Sequence, residues 1–68
     1  MKVNVFFEKE NSHRTIELPK GHTIESLLRK LGINPQTVIV SRNGEIVPEQ
    51  ETLHEKDSLK IFSVKLGG

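Results

Sequence analysis

One stretch of this chain reads as an amphipathic helix, and the rest has to be arranged so as to cover it. Ile24, Leu27, Leu28 and Leu31 fall at i, i+3, i+4 and i+7, which puts four apolar side chains on one stripe. Both ends are marked. Thr23 is a good N-cap, since its hydroxyl can accept from a first-turn N–H, and Glu25 sets negative charge near the positive end of the helix dipole. Arg29 and Lys30 complement the other end, Gly32 can take the left-handed conformation after the last turn, Ile33 can fold back onto the stripe, and Pro35 prevents continuation. The pattern predicts a helix over 23–31. Because the chain has 68 residues, and a chain this short buries only about 60% of its unfolded surface, it can build one core and no cofactor domain.

The segments on either side of the helix alternate with period two. Val3, Val5 and Phe7 are predicted to face the core from a first strand, with Asn4, Phe6 and Glu8 turned away. The polar stretch Lys9 to Ser12 reverses the chain, Thr15 to Leu18 returns with Ile16 and Leu18 inward, and Pro19-Lys20-Gly21 stops that strand. After the helix, Thr37 to Ser41 is rich in β-branched residues, Asn43-Gly44 signals a tight reversal into Glu45-Ile46-Val47, and Pro48 ends it. Glu49 to Asp57 is polar except for Leu53, which suggests a surface connection pinned by one buried leucine. Leu59 to Val64 is the last strand. The order is ββαββ with a short edge element, and the arrangement that buries the stripe is a mixed sheet of four to five strands wrapped across one helix, an α+β fold. Residues 1–64 are expected to form the domain and residues 65–68 a flexible tail.

Composition excludes several functions. Ten basic residues interleave with nine acidic ones for a net charge of +1, so no run of like charge offers a footprint for phosphate, and no direct nucleic-acid contact is expected. Cysteine is absent, which removes disulfides, thiolate metal sites and a cysteine nucleophile together. His13, His22 and His54 are 9 and 32 residues apart, a spacing that matches no local metal-ligand pattern, so they read as exposed turn residues and no metal is assigned. No Ser/His/Asp or paired-carboxylate motif and no phosphate-cradling glycine loop stands out. No catalytic residue is assigned, and the chain is not expected to be an enzyme. The N-terminal residues lack a signal peptide's apolar core, and no apolar run reaches membrane-spanning length, so the expected address is cytoplasmic and the expected state monomeric.

The sequence closes on Lys65-Leu66-Gly67-Gly68, directly after the last strand. Glycine lacks Cβ, so such an end can lie extended in a channel where any side chain would clash. A frayed terminus is the other reading. The element order, the length, Asn43-Gly44-Glu45-Ile46-Val47-Pro48 and the terminal Gly67-Gly68 together resemble the ubiquitin-like β-grasp sulfur carriers, over the whole chain. The thiamine sulfur carrier proteins and the archaeal small ubiquitin-like modifiers are the nearest in look, and the molybdopterin synthase small subunit is a more distant one.

The resemblance implies a carrier that contributes a carboxylate and no catalytic side chain. A carboxylate is a poor electrophile and must be activated before sulfur or an amine can attack it. In the family a partner enzyme holding ATP and Mg²⁺ adenylates the terminal glycine, and a persulfide or thiol displaces AMP. No cofactor is bound by the carrier itself. Gly68 would then carry the thiocarboxylate, Gly67 would give clearance in the enzyme's channel, Leu66 would anchor the tail and Lys65 would meet acidic or phosphate groups.

Strand parity suggests where the activating enzyme would dock. With Leu59 and Ile61 inward, Lys60, Phe62 and Val64 face outward, Phe6 shares that face, and Ile39 joins it by the parity that buries Val38 and Val40. Phe6, Ile39, Phe62 and Val64 then form an outer apolar patch, read either as a partner surface or as scattered surface hydrophobes partly under a loop. Three functions remain open. The chain could donate sulfur to a thiamine thiazole precursor or a tRNA base held by another enzyme. It could form isopeptides with target lysines through Gly68, or it could be a β-grasp interaction module whose end is incidental. Its partners would be the activating enzyme, a sulfur donor, and a sulfur-accepting enzyme or target lysines.

Overall fold

A computed structural model describes residues 1–64 of the chain. The predicted tail residues Lys65, Leu66, Gly67 and Gly68 lie outside the described residues. Strands β1 (Lys2–Phe7) and β2 (Ser12–Glu17) form a hairpin, followed by helix α1 (Ile24–Lys30). A short 3₁₀ turn (Pro35–Thr37), β3 (Val38–Arg42), β4 (Glu45–Val47) and β5 (Ser58–Ser63) complete the order. The sheet runs β2-β1-β5-β3-β4, so the last strand is the central one. It pairs parallel with β1 and antiparallel with β3. This mixed five-stranded sheet on one helix is the predicted α+β architecture.

The helix forms for the reasons its sequence gives. Thr23 Oγ1 accepts from the Ser26 N–H at 3.2 Å, and Ser26 Oγ accepts in return from the Thr23 N–H at 2.8 Å, a reciprocal capping box. At the other end Gly32 sits at φ +76, its N–H donates to the Arg29 carbonyl at 3.0 Å, and the Ile33 N–H donates to the Leu28 carbonyl at 2.8 Å. That Schellman pattern satisfies carbonyls the helix would otherwise leave open, and Ile33 packs back against the core. Ile24, Leu27 and Leu28 meet Val3, Val5, Leu59 and Ile61 of the sheet, all buried. Asn43 and Gly44 both have positive φ, +51 and +89, as a two-residue Asn-Gly reversal requires.

Five local expectations are corrected. The first reversal ends one residue early, with Asn11 at φ +49 and β2 starting at Ser12, because Ser12 pairs with Phe7 and carries on the ladder. Leu18 is buried but lies just beyond β2, tied to Met1 by N–H to carbonyl bonds of 2.7 and 2.8 Å. Pro35 does more than stop the helix: it opens the 3₁₀ turn capped by Asn34 and is buried. The 49–57 connection has a second buried anchor besides Leu53, since Asp57 is 7% exposed. Val38, expected inside, is half-buried and packs on the core from its edge.

Candidate functional site

The outer face of the sheet is the surface the strand parity selects. In the parallel ladder Phe6 of β1 lies beside Lys60 of β5, and in the antiparallel one Ile39 lies beside Phe62 and Ser41 beside Lys60. Ser41 in turn pairs with Ile46 of β4. Phe6, Ile39 and Phe62 therefore share one face, as expected, with Ile39 39% exposed and both phenylalanines half-buried. Val64 follows β5, is half-buried, shares the parity of Phe62 and donates its N–H to the Thr37 carbonyl at 3.0 Å.

Ile46 joins this face although the sequence pattern was not read that way, and Lys60, expected to face outward, lies at the centre of the patch. Ile46 is 74% exposed, the most exposed large apolar side chain among the described residues. Lys60 stands between the aromatic rings, its Nζ 5.6 Å from the centroid of Phe6 and 5.6 Å from that of Phe62. Each contact attracts the ammonium through the ring quadrupole by about 0.5–1 kcal/mol at an exposed site. Together these side chains border a groove of about 380 Å³ floored by β5 and closed at one end by the Asn43-Gly44 turn. The signal for Ile46 was present in its alternation with Glu45 and Val47. The neighbourhood of Lys60 depends on β1 lying beside β5, which no local pattern encodes.

Arg42 closes the inner side of the same strands. Its Nη2 donates to the Thr52 carbonyl at 2.7 Å, its Nη1 meets Glu51 at 3.4 Å, and its Nε lies 3.4 Å from Asp57 Oδ2 without hydrogen-bond alignment. Asp57 Oδ2 also accepts from the His54 N–H at 2.7 Å. This buried pair fixes the 49–57 connection at the point where β5 begins.

Among the described residues, no group of three or more His, Cys, Asp or Glu side chains is placed to hold a metal ion. His13 stands on β2, and His22 and His54 flank Leu53, where the Leu53 N–H donates to the His22 carbonyl at 2.8 Å. No helix among these residues is long and apolar enough to cross a membrane.

A single helix packed on a mixed five-stranded sheet whose last strand is central defines a ubiquitin-like β-grasp protein. The match to known structures spans the whole chain. It aligns over its full length with SAMP1 from Haloferax volcanii (TM-score 0.75, 18% identity, all of that chain covered). A ubiquitin from Caldiarchaeum subterraneum aligns as closely (TM-score 0.76, 18% identity, 98% of that chain covered). At this level of identity the likeness is one of fold. The chain belongs to the ThiS family, whose model matches residues 3–68. A relative, the sulfur carrier protein TtuB of Thermus thermophilus, is 29% identical over 55 residues, covering 81% of this chain and 85% of that protein. The protein is a small sulfur carrier and not itself a catalyst. Membership implies one partner that activates the carrier and one that accepts its sulfur.

Proposed function

We propose that this carrier is adenylated at Gly68 by an ATP- and Mg²⁺-using partner and loaded there with sulfur for a small-molecule or tRNA acceptor. The observation that carries the reading is that the family match runs through the diglycine to residue 68. In the first step the Gly68 carboxylate attacks the α-phosphorus of ATP, forming an acyl-adenylate and releasing pyrophosphate. Attack of a persulfide on the acyl carbon forms a C–S bond and breaks the C–O bond to AMP. A thiol then reduces the acyl disulfide, leaving a thiocarboxylate, a far better sulfur nucleophile than the carboxylate is an oxygen one. The acceptor is a thiazole precursor or a tRNA base held by another enzyme, and the setting is cytoplasmic.

The outer face supports the docking half of the reading. Phe62 is two residues from Val64, where the described residues end; Ile39 lies beside it on β3, and Phe6 lies on β1 beside Lys60. Residues 65–68 fully extended reach roughly 13 Å. An enzyme seated on Phe6, Ile39, Phe62 and Val64 can therefore receive Lys65, Leu66, Gly67 and Gly68 in a narrow channel, while the domain stays outside. Pyrophosphate exchange with the activating enzyme of the same organism tests the reading. Exchange that requires this chain and vanishes when Gly68 is deleted supports it. Exchange indifferent to that deletion would leave the chain as an interaction module.

A further inference from the structure

The groove on the outer face holds its one charged side chain in a defined place. Lys60 rises from the central strand, and two half-buried rings, each 5.6 Å from Nζ, hold the ammonium above the groove floor. The other polar side chains bordering the groove, Ser41, Asn43 and Ser58, are neutral. Among the described residues no carboxylate lies within ion-pairing distance of Lys60; the ion pairs present join Arg29 to Glu25 and Arg42 to Glu51 and Asp57. A lysine held by its neighbours loses less rotamer freedom when it forms an ion pair. Beside it Ile46 is 74% exposed.

We propose that the partner surface seated on this groove is an acidic-apolar protein segment. One carboxylate of the segment meets Lys60 Nζ between Phe6 and Phe62, and an adjacent apolar side chain covers Ile46. The proposal rests on the reading of this face as a docking surface and supplies the chemistry of what docks. Charge complementarity favours a protein over a nucleic-acid backbone, because a phosphate chain needs several cations spaced along it and the groove offers one. Closure of the segment over the rings removes water from the ion pair and strengthens it.

The test titrates the full-length, ¹⁵N-labelled chain with three probes and follows the amide signals of Phe6, Ser41, Lys60 and Phe62. The probes are a capped hexapeptide of alternating glutamate and leucine, its glutamine-leucine twin, and hexauridylate. The glutamate peptide is expected to shift these amides, with the twin at least about fivefold weaker, the scale of one partly shielded charge pair. Lys60→Met should weaken the glutamate peptide by the same factor and leave the twin unchanged, while Lys60→Arg retains binding. Equal binding of the two peptides, stronger shifts from hexauridylate, or no shift from any probe overturns the proposal. Pyrophosphate exchange on the same preparations reads the tail separately. Exchange that survives while the peptide titration fails overturns the groove chemistry alone, and peptide selectivity without exchange upholds it while the activated-tail reading falls.

Discussion

Replacing Asp57 with alanine should cost this small domain a large share of its stability. The Asp57 side chain is 8% exposed and the Arg42 side chain 14%, with 3.4 Å between Oδ2 and Nε. Removing one member of a well-buried pair costs about 3–5 kcal/mol. Here the cost is lowered because Arg42 keeps the Thr52 carbonyl and the half-exposed Glu51. It is raised because the His54 N–H loses its acceptor at 2.7 Å. The expected loss is about 2–3 kcal/mol, out of roughly 3–10 kcal/mol for a chain of this size. That corresponds to a fall in Tm of roughly 10–20 °C. Asp57→Asn retains an oxygen for the His54 N–H and should cost only about 1 kcal/mol. Urea unfolding followed by circular dichroism, with a double-mutant cycle through Arg42→Met, separates the pair from the hydrogen bond. A change under about 0.5 kcal/mol for Asp57→Ala would refute the assignment of Asp57 as a buried anchor, and equal losses for Ala and Asn would refute the share given to the His54 hydrogen bond.

Three further outcomes are expected. Replacing Leu28, 1% exposed at the helix–sheet contact, with alanine should cost about 2–5 kcal/mol, read as a fall in Tm in a thermal melt. Gly32 has open space around any added Cβ but φ +76, so Gly32→Ala should cost about 1–2 kcal/mol of backbone strain and Gly32→Asn less, measured by the shift in urea midpoint. Ile46→Ser, at a side chain 74% exposed, should alter stability by less than about 0.5 kcal/mol while raising the KM of the activating enzyme for this carrier.

The elements whose causes are local were legible in the sequence. The helix could be read because its stripe, its Thr23 cap and its Gly32 stop all lie within ten residues, and the turn could be read because Asn43-Gly44 admits positive φ at both positions. Alternation placed Phe6, Ile39 and Phe62 on one face correctly, since parity survives without knowledge of strand order. What depended on strand order stayed hidden. Lys60 sits between two rings only because β5 runs parallel beside β1. Asp57 and Arg42 looked like ordinary surface charges, as a pair formed across fifteen residues of sequence leaves no pattern. Pro35 was read as a breaker because proline's lost N–H is a local fact, whereas its burial in a 3₁₀ turn is a tertiary one.

The most direct test of the central claim is the intact mass of the full chain after incubation with ATP, Mg²⁺, a sulfur donor and the activating enzyme, beside a chain lacking Gly68. Replacement of one oxygen by sulfur, located on Gly68 by fragmentation and absent from the deleted chain, is the predicted result. Larger Gly68-dependent adducts bearing ligated lysines would move the account from sulfur transfer to protein modification. An unchanged mass, while a known sulfur carrier is loaded under the same conditions with its own activating enzyme, would contradict it.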